Sequence, residues 1–89
     1  MIKKLYVAHT PAFNRQFRTL DELIQEEAIE KIELFKNIEN HKQLKVHKLK
    51  GPLSGRYSFS VNYKFRIIFT YLSKKEAVLM AIGDHEIYK

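Results

Sequence analysis

Arg66 is the residue in this chain that local pattern explains least. It interrupts the run Phe65 to Leu72, which is apolar on both alternating sets: Phe65, Ile67, Phe69 and Tyr71 on one side, Ile68 and Leu72 on the other. Such a run suits a central strand covered on two faces, so a guanidinium at its start points to a role other than packing. If a turn at Ser73 to Glu76 pairs Leu72 with Ala77, antiparallel counting sets Arg66 opposite Gly83. The same counting across Asn62 to Lys64 sets Ser60 beside Arg66. Three strand ends should therefore converge at one edge of a rigid sheet, carrying Ser60, Lys64, Arg66 and then Asp84 to Tyr88. A cationic edge of this kind suits an anionic ligand.

The charge distribution agrees. The net charge is +6, but residues 1–45 are nearly balanced, with eight Lys/Arg against seven Asp/Glu, whereas residues 46–89 carry eight against three. Between Asn40 and Lys75 there is no acid at all, while Lys42, Lys45, Lys48, Lys50, Arg56, Lys64, Arg66, Lys74 and Lys75 all lie there. An uncompensated basic region on a small domain is the footprint of a polyanion, most commonly nucleic acid.

Other chemistries are poorly served. There is no cysteine, hence no disulfide framework, thiolate ligand or thiol nucleophile. Glycine-rich phosphate loops, H-E-x-x-H and G-x-S-x-G are missing, and His9, His41, His47 and His85 do not fall at zinc-ligand spacing. No metal or cofactor is expected.

The elements that must position the basic edge read as one domain over 1–89, which would bury about 60 to 65% of its unfolded surface. Lys3 to His9 reads as a short strand, with Leu5 and Val7 on one side. Thr10-Pro11 is a helix start, with a capping hydroxyl and proline at the first helical position, and Phe13 and Phe17 form its apolar stripe. Thr19-Leu-Asp-Glu22 matches a capping box and predicts a fresh helix, whose stripe runs through Leu20, Leu23/Ile24, Ala28, Ile32, Phe35 and Ile38. Leu44 to Lys50 suggests a short extended piece, and Gly51-Pro52 and Ser54-Gly55 mark a loop. The rest is a three-stranded antiparallel meander. In its first strand Tyr57, Phe59 and Val61 face the helices, while Arg56, Ser58 and Ser60 line a polar face left open for a chain of phosphates. The fold expected is α+β: a short N-terminal strand, two helices, then the meander, with the helices packed on one face of a twisted sheet. No membrane span is found, and the start Met-Ile-Lys-Lys-Leu-Tyr reads as a mature cytoplasmic one.

The string H-K-L-K-G-P-L-S-G-R-Y-S from His47, V-N-Y-K-F-R-I-I-F from Val61 and I-G-D-H-E-I-Y from Ile82 resembles the RelE/ParE superfamily of bacterial toxins, above all its YoeB- and YafQ-like ribonuclease branches. The resemblance covers His47 to Tyr88, while the preceding elements agree in pattern and length. It implies a small basic toxin that cleaves messenger RNA, usually in the ribosomal A site, and is silenced by a cognate antitoxin. The toxin would be monomeric alone and hetero-oligomeric with that antitoxin.

By position, the resemblance places Arg66 on the reacting phosphate, where a guanidinium donates two parallel hydrogen bonds and keeps its charge. It makes His85 the group that protonates the departing 5′-oxygen, and His47 the base that takes the 2′-hydroxyl proton. It makes Tyr88 a hydrogen-bond donor or a surface for a base. Lys48, Lys50, Arg56 and Lys64 would hold flanking phosphates. Where a YafQ-like pattern has a second histidine and an aspartate, this chain has Ser60 and Lys64. The implied reaction is metal-independent cleavage through a 2′,3′-cyclic phosphate. Two other readings stay open here: a ParE-type inhibitor of DNA gyrase without nuclease activity, and an inactive basic RNA-binding relative.

Overall fold

The computed structural model describes residues 4–84 and residue 87. The expected site residues His85 and Tyr88, and Lys3 at the start of the expected first strand, lie outside the described residues. The chain runs β1 (Tyr6–His9), α1 (Pro11–Arg18), α2 (Glu22–Phe35), a 3-10 turn (Ile38–Asn40), β2 (His47–Lys48), a second such turn (Gly51–Leu53), β3 (Tyr57–Ser60), β4 (Arg66–Ser73) and β5 (Glu76–Gly83). The strands form one sheet in the order β1-β5-β4-β3-β2. The expected meander is its centre, antiparallel throughout. Two more strands flank it, β1 parallel to β5 and the short β2 antiparallel to β3.

Both helices start where side chains satisfy their free N–H groups. Thr10 caps α1 by accepting from Phe13 N–H at 3.0 Å, with Pro11 at the first helical position. The second helix is a fresh start, as expected, but its cap is Asp21, which accepts from Leu23 N–H at 2.9 Å. The Thr19 hydroxyl is committed elsewhere, donating to Gln16 O at 2.7 Å at the end of α1, so the expected capping box does not form.

The core lies between the helices and one face of the sheet. Phe13, Ala28, Ile32 and Phe35 pack there with Phe59, Ile67, Phe69, Ala77 and Leu79. Phe35 is the hub, stacked on Phe59 at 4.3 Å between ring centroids and edge-on to Phe69 at 4.6 Å.

The β4–β5 register holds a surprise that cancels itself. Near the turn, Tyr71 pairs with Ala77 and Ser73 with Glu76, so Leu72 is an extra residue on β4 and does not face Ala77 as expected. Further along, Ile68 pairs with Ala81 but Phe69 with Leu79, so Met80 is an extra residue on β5. One bulge on each strand restores the count, and Arg66 meets Gly83 as predicted. Leu72, thrown outward, is 62% exposed. At the second bulge the Thr10 hydroxyl donates to Met80 O at 3.3 Å, and beyond the end of β1 the Gln16 side chain accepts from Ile82 N–H at 3.0 Å. Both ends of α1, through Thr10 and Gln16, thus brace the strand end that carries Gly83.

Candidate functional site

Cross-strand partners share a face, so the register defines what the outer side of the sheet presents. One row runs His47, Ser58, Ile68, Ala81, and the next runs Ser60, Arg66, Gly83. Both lie opposite the helix face, which takes Tyr57, Phe59, Ile67 and Phe69. His47, which strand counting alone did not bring to the convergent edge, is therefore one row from it. Two strand spacings of about 4.8 Å and two residues of about 3.3 Å put the Cα atoms of His47 and Arg66 about 12 Å apart.

The guanidinium of Arg66 is half committed. Its Nη1 donates to the carbonyls of Asn62 and Phe65 in the β3–β4 turn. That leaves Nε and Nη2, the edge of the fork that can take two oxygens of a phosphate in parallel. The turn is itself tied down: Asn62 Oδ1 accepts from Lys64 N–H at 2.9 Å and Phe65 N–H at 2.8 Å, and its amide donates to Glu27 Oε1 on α2 at 3.1 Å. Asn62 was not singled out in the sequence, although an asparagine opening a turn is a legible signal for this cap.

The His47 ring has a defined tautomer. Its Nδ1 lies 2.8 Å from Lys45 O, and since a carbonyl only accepts, Nδ1 carries the proton in the neutral ring. Nε2 then bears the lone pair and faces the Ser58 hydroxyl at 3.4 Å. Lys45 sits at φ 60°, a left-handed conformation costly for a side-chain-bearing residue, and Val46 N–H is drawn back to His41 O at 3.0 Å. A neutral imidazole oriented by a backbone carbonyl can accept a proton at Nε2.

The outer face is not open along its whole length, which corrects the expectation. Ser58 is 0% and Ile68 2% exposed, so the middle of that row is closed, with His47 exposed on one side and Ser60 and Arg66 half-buried at the strand ends. The remaining basic residues are spread around this face. Lys64 is exposed on the turn, its Nζ 5.7 Å from the Phe65 ring centroid. Lys50 precedes the 3-10 turn in the β2–β3 loop, where Gly51 (φ 69°) and Gly55 (φ 91°) supply the left-handed positions. Arg56 is exposed at the foot of β3, and its carbonyl takes Leu49 N–H at 2.9 Å. Lys48 pairs with Tyr57, so the register directs it to the opposite face from His47. Of the ion pairs among the described residues, Lys31–Glu30 lies on α2 and Lys36–Glu33 joins its last turn to its C-cap, and neither takes a cation from the acid-free segment.

No protein-family model matches the chain, and no curated protein sequence matches it. Solved structures do. The conserved hypothetical protein HP0894 from Helicobacter pylori superposes with a TM-score of 0.72 at 17% identity, covering 92% of this chain and 96% of that one. The toxin–antitoxin complex RelBE2 from Mycobacterium tuberculosis gives 0.71 at 16% identity over 92% and 99%. YafQ from Escherichia coli gives 0.70 at 11% identity over 96% and 98%. Identities this low carry the architecture and not the residues' roles. In its two helices over one face of a mixed five-stranded sheet, this chain has the RelE-type fold found in the RelE, YafQ and YoeB toxins.

Proposed function

We propose that this protein is the toxin of a toxin–antitoxin pair and a metal-independent endoribonuclease that cuts messenger RNA in the ribosomal A site. The observation that carries this reading is the outer face itself: an exposed imidazole whose Nδ1 is held by a backbone carbonyl and whose Nε2 lies 3.4 Å from the Ser58 hydroxyl, and a guanidinium with one free edge, on adjacent rows of one rigid sheet. His47 Nε2 takes the proton from a ribose 2′-hydroxyl, and the freed oxygen attacks the adjacent phosphorus. Arg66 donates from Nε and Nη2 to the non-bridging oxygens as they gain charge. The bond to the 5′-oxygen breaks, leaving a 2′,3′-cyclic phosphate on one fragment and a 5′-hydroxyl on the other. By the resemblance of I-G-D-H-E-I-Y, His85 gives the 5′-oxygen its proton, and Tyr88 donates a hydrogen bond or stacks on a base. Lys50, Arg56 and Lys64 hold flanking phosphates, with Lys48 reaching from the β2 edge.

Much of the rate in such a reaction comes from positioning, so ribosome-bound message is the substrate cut fastest. DNA, lacking the 2′-hydroxyl, survives. The partner is an antitoxin whose acidic or amphipathic segment neutralises the basic face, joining an otherwise monomeric toxin in a hetero-oligomer. Expression of the protein alone with mapping of RNA 5′ ends tests the reading. Growth arrest with new 5′-hydroxyl ends inside codons supports it. Intact messages with gyrase-dependent DNA breaks would replace it with gyrase inhibition, and a harmless protein that binds RNA without cutting would make it an inactive relative.

A further inference from the structure

Tyr63 is 90% exposed, the most exposed large aromatic or apolar side chain among the described residues. A single exposed tyrosine is ordinary on a protein surface. The loop beneath this one is not. Tyr63 stands between Asn62, whose side chain holds Lys64 N–H, Phe65 N–H and Glu27 on α2, and the pair of carbonyls to which Arg66 Nη1 donates lie on either side of it, at Asn62 and Phe65. Ring and guanidinium are thus carried by one braced turn, three residues apart, with Cα atoms no more than about 10 Å from each other. Because the backbone is already fixed, a ligand that stacks on the ring orders little more than two side-chain torsions.

The surroundings say what kind of ligand. In sequence Tyr63 is followed by Lys64, exposed, and Arg66, within a stretch that has no acid from Asn40 to Lys75, and the Glu27 carboxylate that reaches this turn from α2 is engaged by the Asn62 amide at 3.1 Å. A protein partner seeking an apolar anchor would find a single ring with Lys64 and Arg66 close by in the chain. A single-stranded nucleic acid finds charge for its phosphate and a flat face for its base, the arrangement by which such strands are held.

We infer that Tyr63 is a stacking platform for a base of the RNA strand whose phosphate lies on Arg66, and that it helps select the base beside the cut. This deepens the ribonuclease reading and rests on it. Stacking reads the area of a base and not its hydrogen-bonding edge, so the preference it confers is for purines over pyrimidines at that position.

The test uses Tyr63→Ala, Leu, Phe and Trp variants of the full chain, with thermal unfolding as the check on the fold. The probe is a short single-stranded RNA carrying 2-aminopurine next to the target phosphate and a 2′-deoxy sugar at the attacking position, so that it binds without being cut. The wild type, Phe and Trp proteins should quench the 2-aminopurine fluorescence. The Ala and Leu proteins should lose the quench and bind about tenfold more weakly, the size of one lost base–aromatic stack. In 5′-end maps, Tyr63→Ala should cut less and lose its purine preference. Equal quench and affinity in Tyr63→Ala would overturn the inference even if the wild type cuts RNA. A wild type that quenches through Tyr63 but cuts nothing would sink the ribonuclease reading and leave the platform standing. If Tyr63→Ala keeps its RNA binding and instead loses the antitoxin, the ring is a protein contact and the inference is wrong. Failure of the wild type to bind the probe would overturn the inference, while the 5′-end maps decide the ribonuclease reading separately.

Discussion

On the helix side of β3 and β4, Phe59, Ile67 and Phe69 close on Phe35, all of them fully buried. One residue away on the same strands, Ser58, Ser60 and Arg66 face outward, flanked by His47. The inner face is aromatic and dry, and its groups have no reactive chemistry. The outer face is polar, and its hydrogen bonds orient side chains more than they fill space. A strand's period of two lets the same short segments supply both, so stability and reactivity can be damaged independently.

The largest blow to that separation should come from Phe35→Ala. Removing the hub ring should cost about 3–5 kcal/mol, a large part of the stability of a small domain, and urea unfolding would read it directly. A variant that unfolds normally would mean that the inner face is not where the fold is held.

His47→Ala should do the reverse. Cleavage of ribosome-bound message should slow by about 10²–10⁴-fold, the usual worth of a positioned base, while the unfolding free energy read from urea titration changes by no more than about 0.5 kcal/mol. A matched loss of stability and rate would erase the distinction between the faces at that position.

A smaller effect separates the two described histidines that have backbone hydrogen bonds. His41 stacks on Phe35 at 4.7 Å and 7°, with its Nε2 donating to Phe35 O at 2.8 Å. Burial lowers its pKa below the usual 6.5, and the bond to the carbonyl opposes that shift without reversing it. The unfolded chain therefore binds this proton more readily than the folded one. Stability should be fully present above about pH 7 and should decline as the pH falls through the unfolded value of about 6.5. Urea unfolding at a series of pH values, with His41→Asn as the reference, should show the decline in the native protein and a shallower one in the variant. Equal slopes would locate the acid sensitivity elsewhere.

Much of this division was legible in the sequence. Alternation in Tyr57 to Ser60 and the doubly apolar run of β4 gave the meander its order, and counting from the turns gave the Ser60–Arg66–Gly83 neighbours. The bulges at Leu72 and Met80 were not legible: each shifts the register by one residue, and together they cancel, leaving no trace at the strand ends. The start of α2 was read correctly as a break, but Thr19 and Asp21 both suit a cap. Which one serves depends on where α1 releases its last carbonyl, at Gln16. The pairing of β1 with β5 joins residues some 70 positions apart, and no local pattern specifies it. The proximity of His47 to the site came from resemblance and not from counting, because a two-residue strand is too short to announce its register. Its tautomer depends on the left-handed turn at Lys45, a conformation nothing in that residue type suggests.

The most direct test of the account is Arg66→Ala, with cleavage of ribosome-bound message and urea unfolding measured on the same preparation. The guanidinium is taken to stabilise charge on the reacting phosphorus, so the rate should fall by about 10²–10³-fold while the protein stays folded. Undiminished cleavage by a folded Arg66→Ala protein would contradict the account.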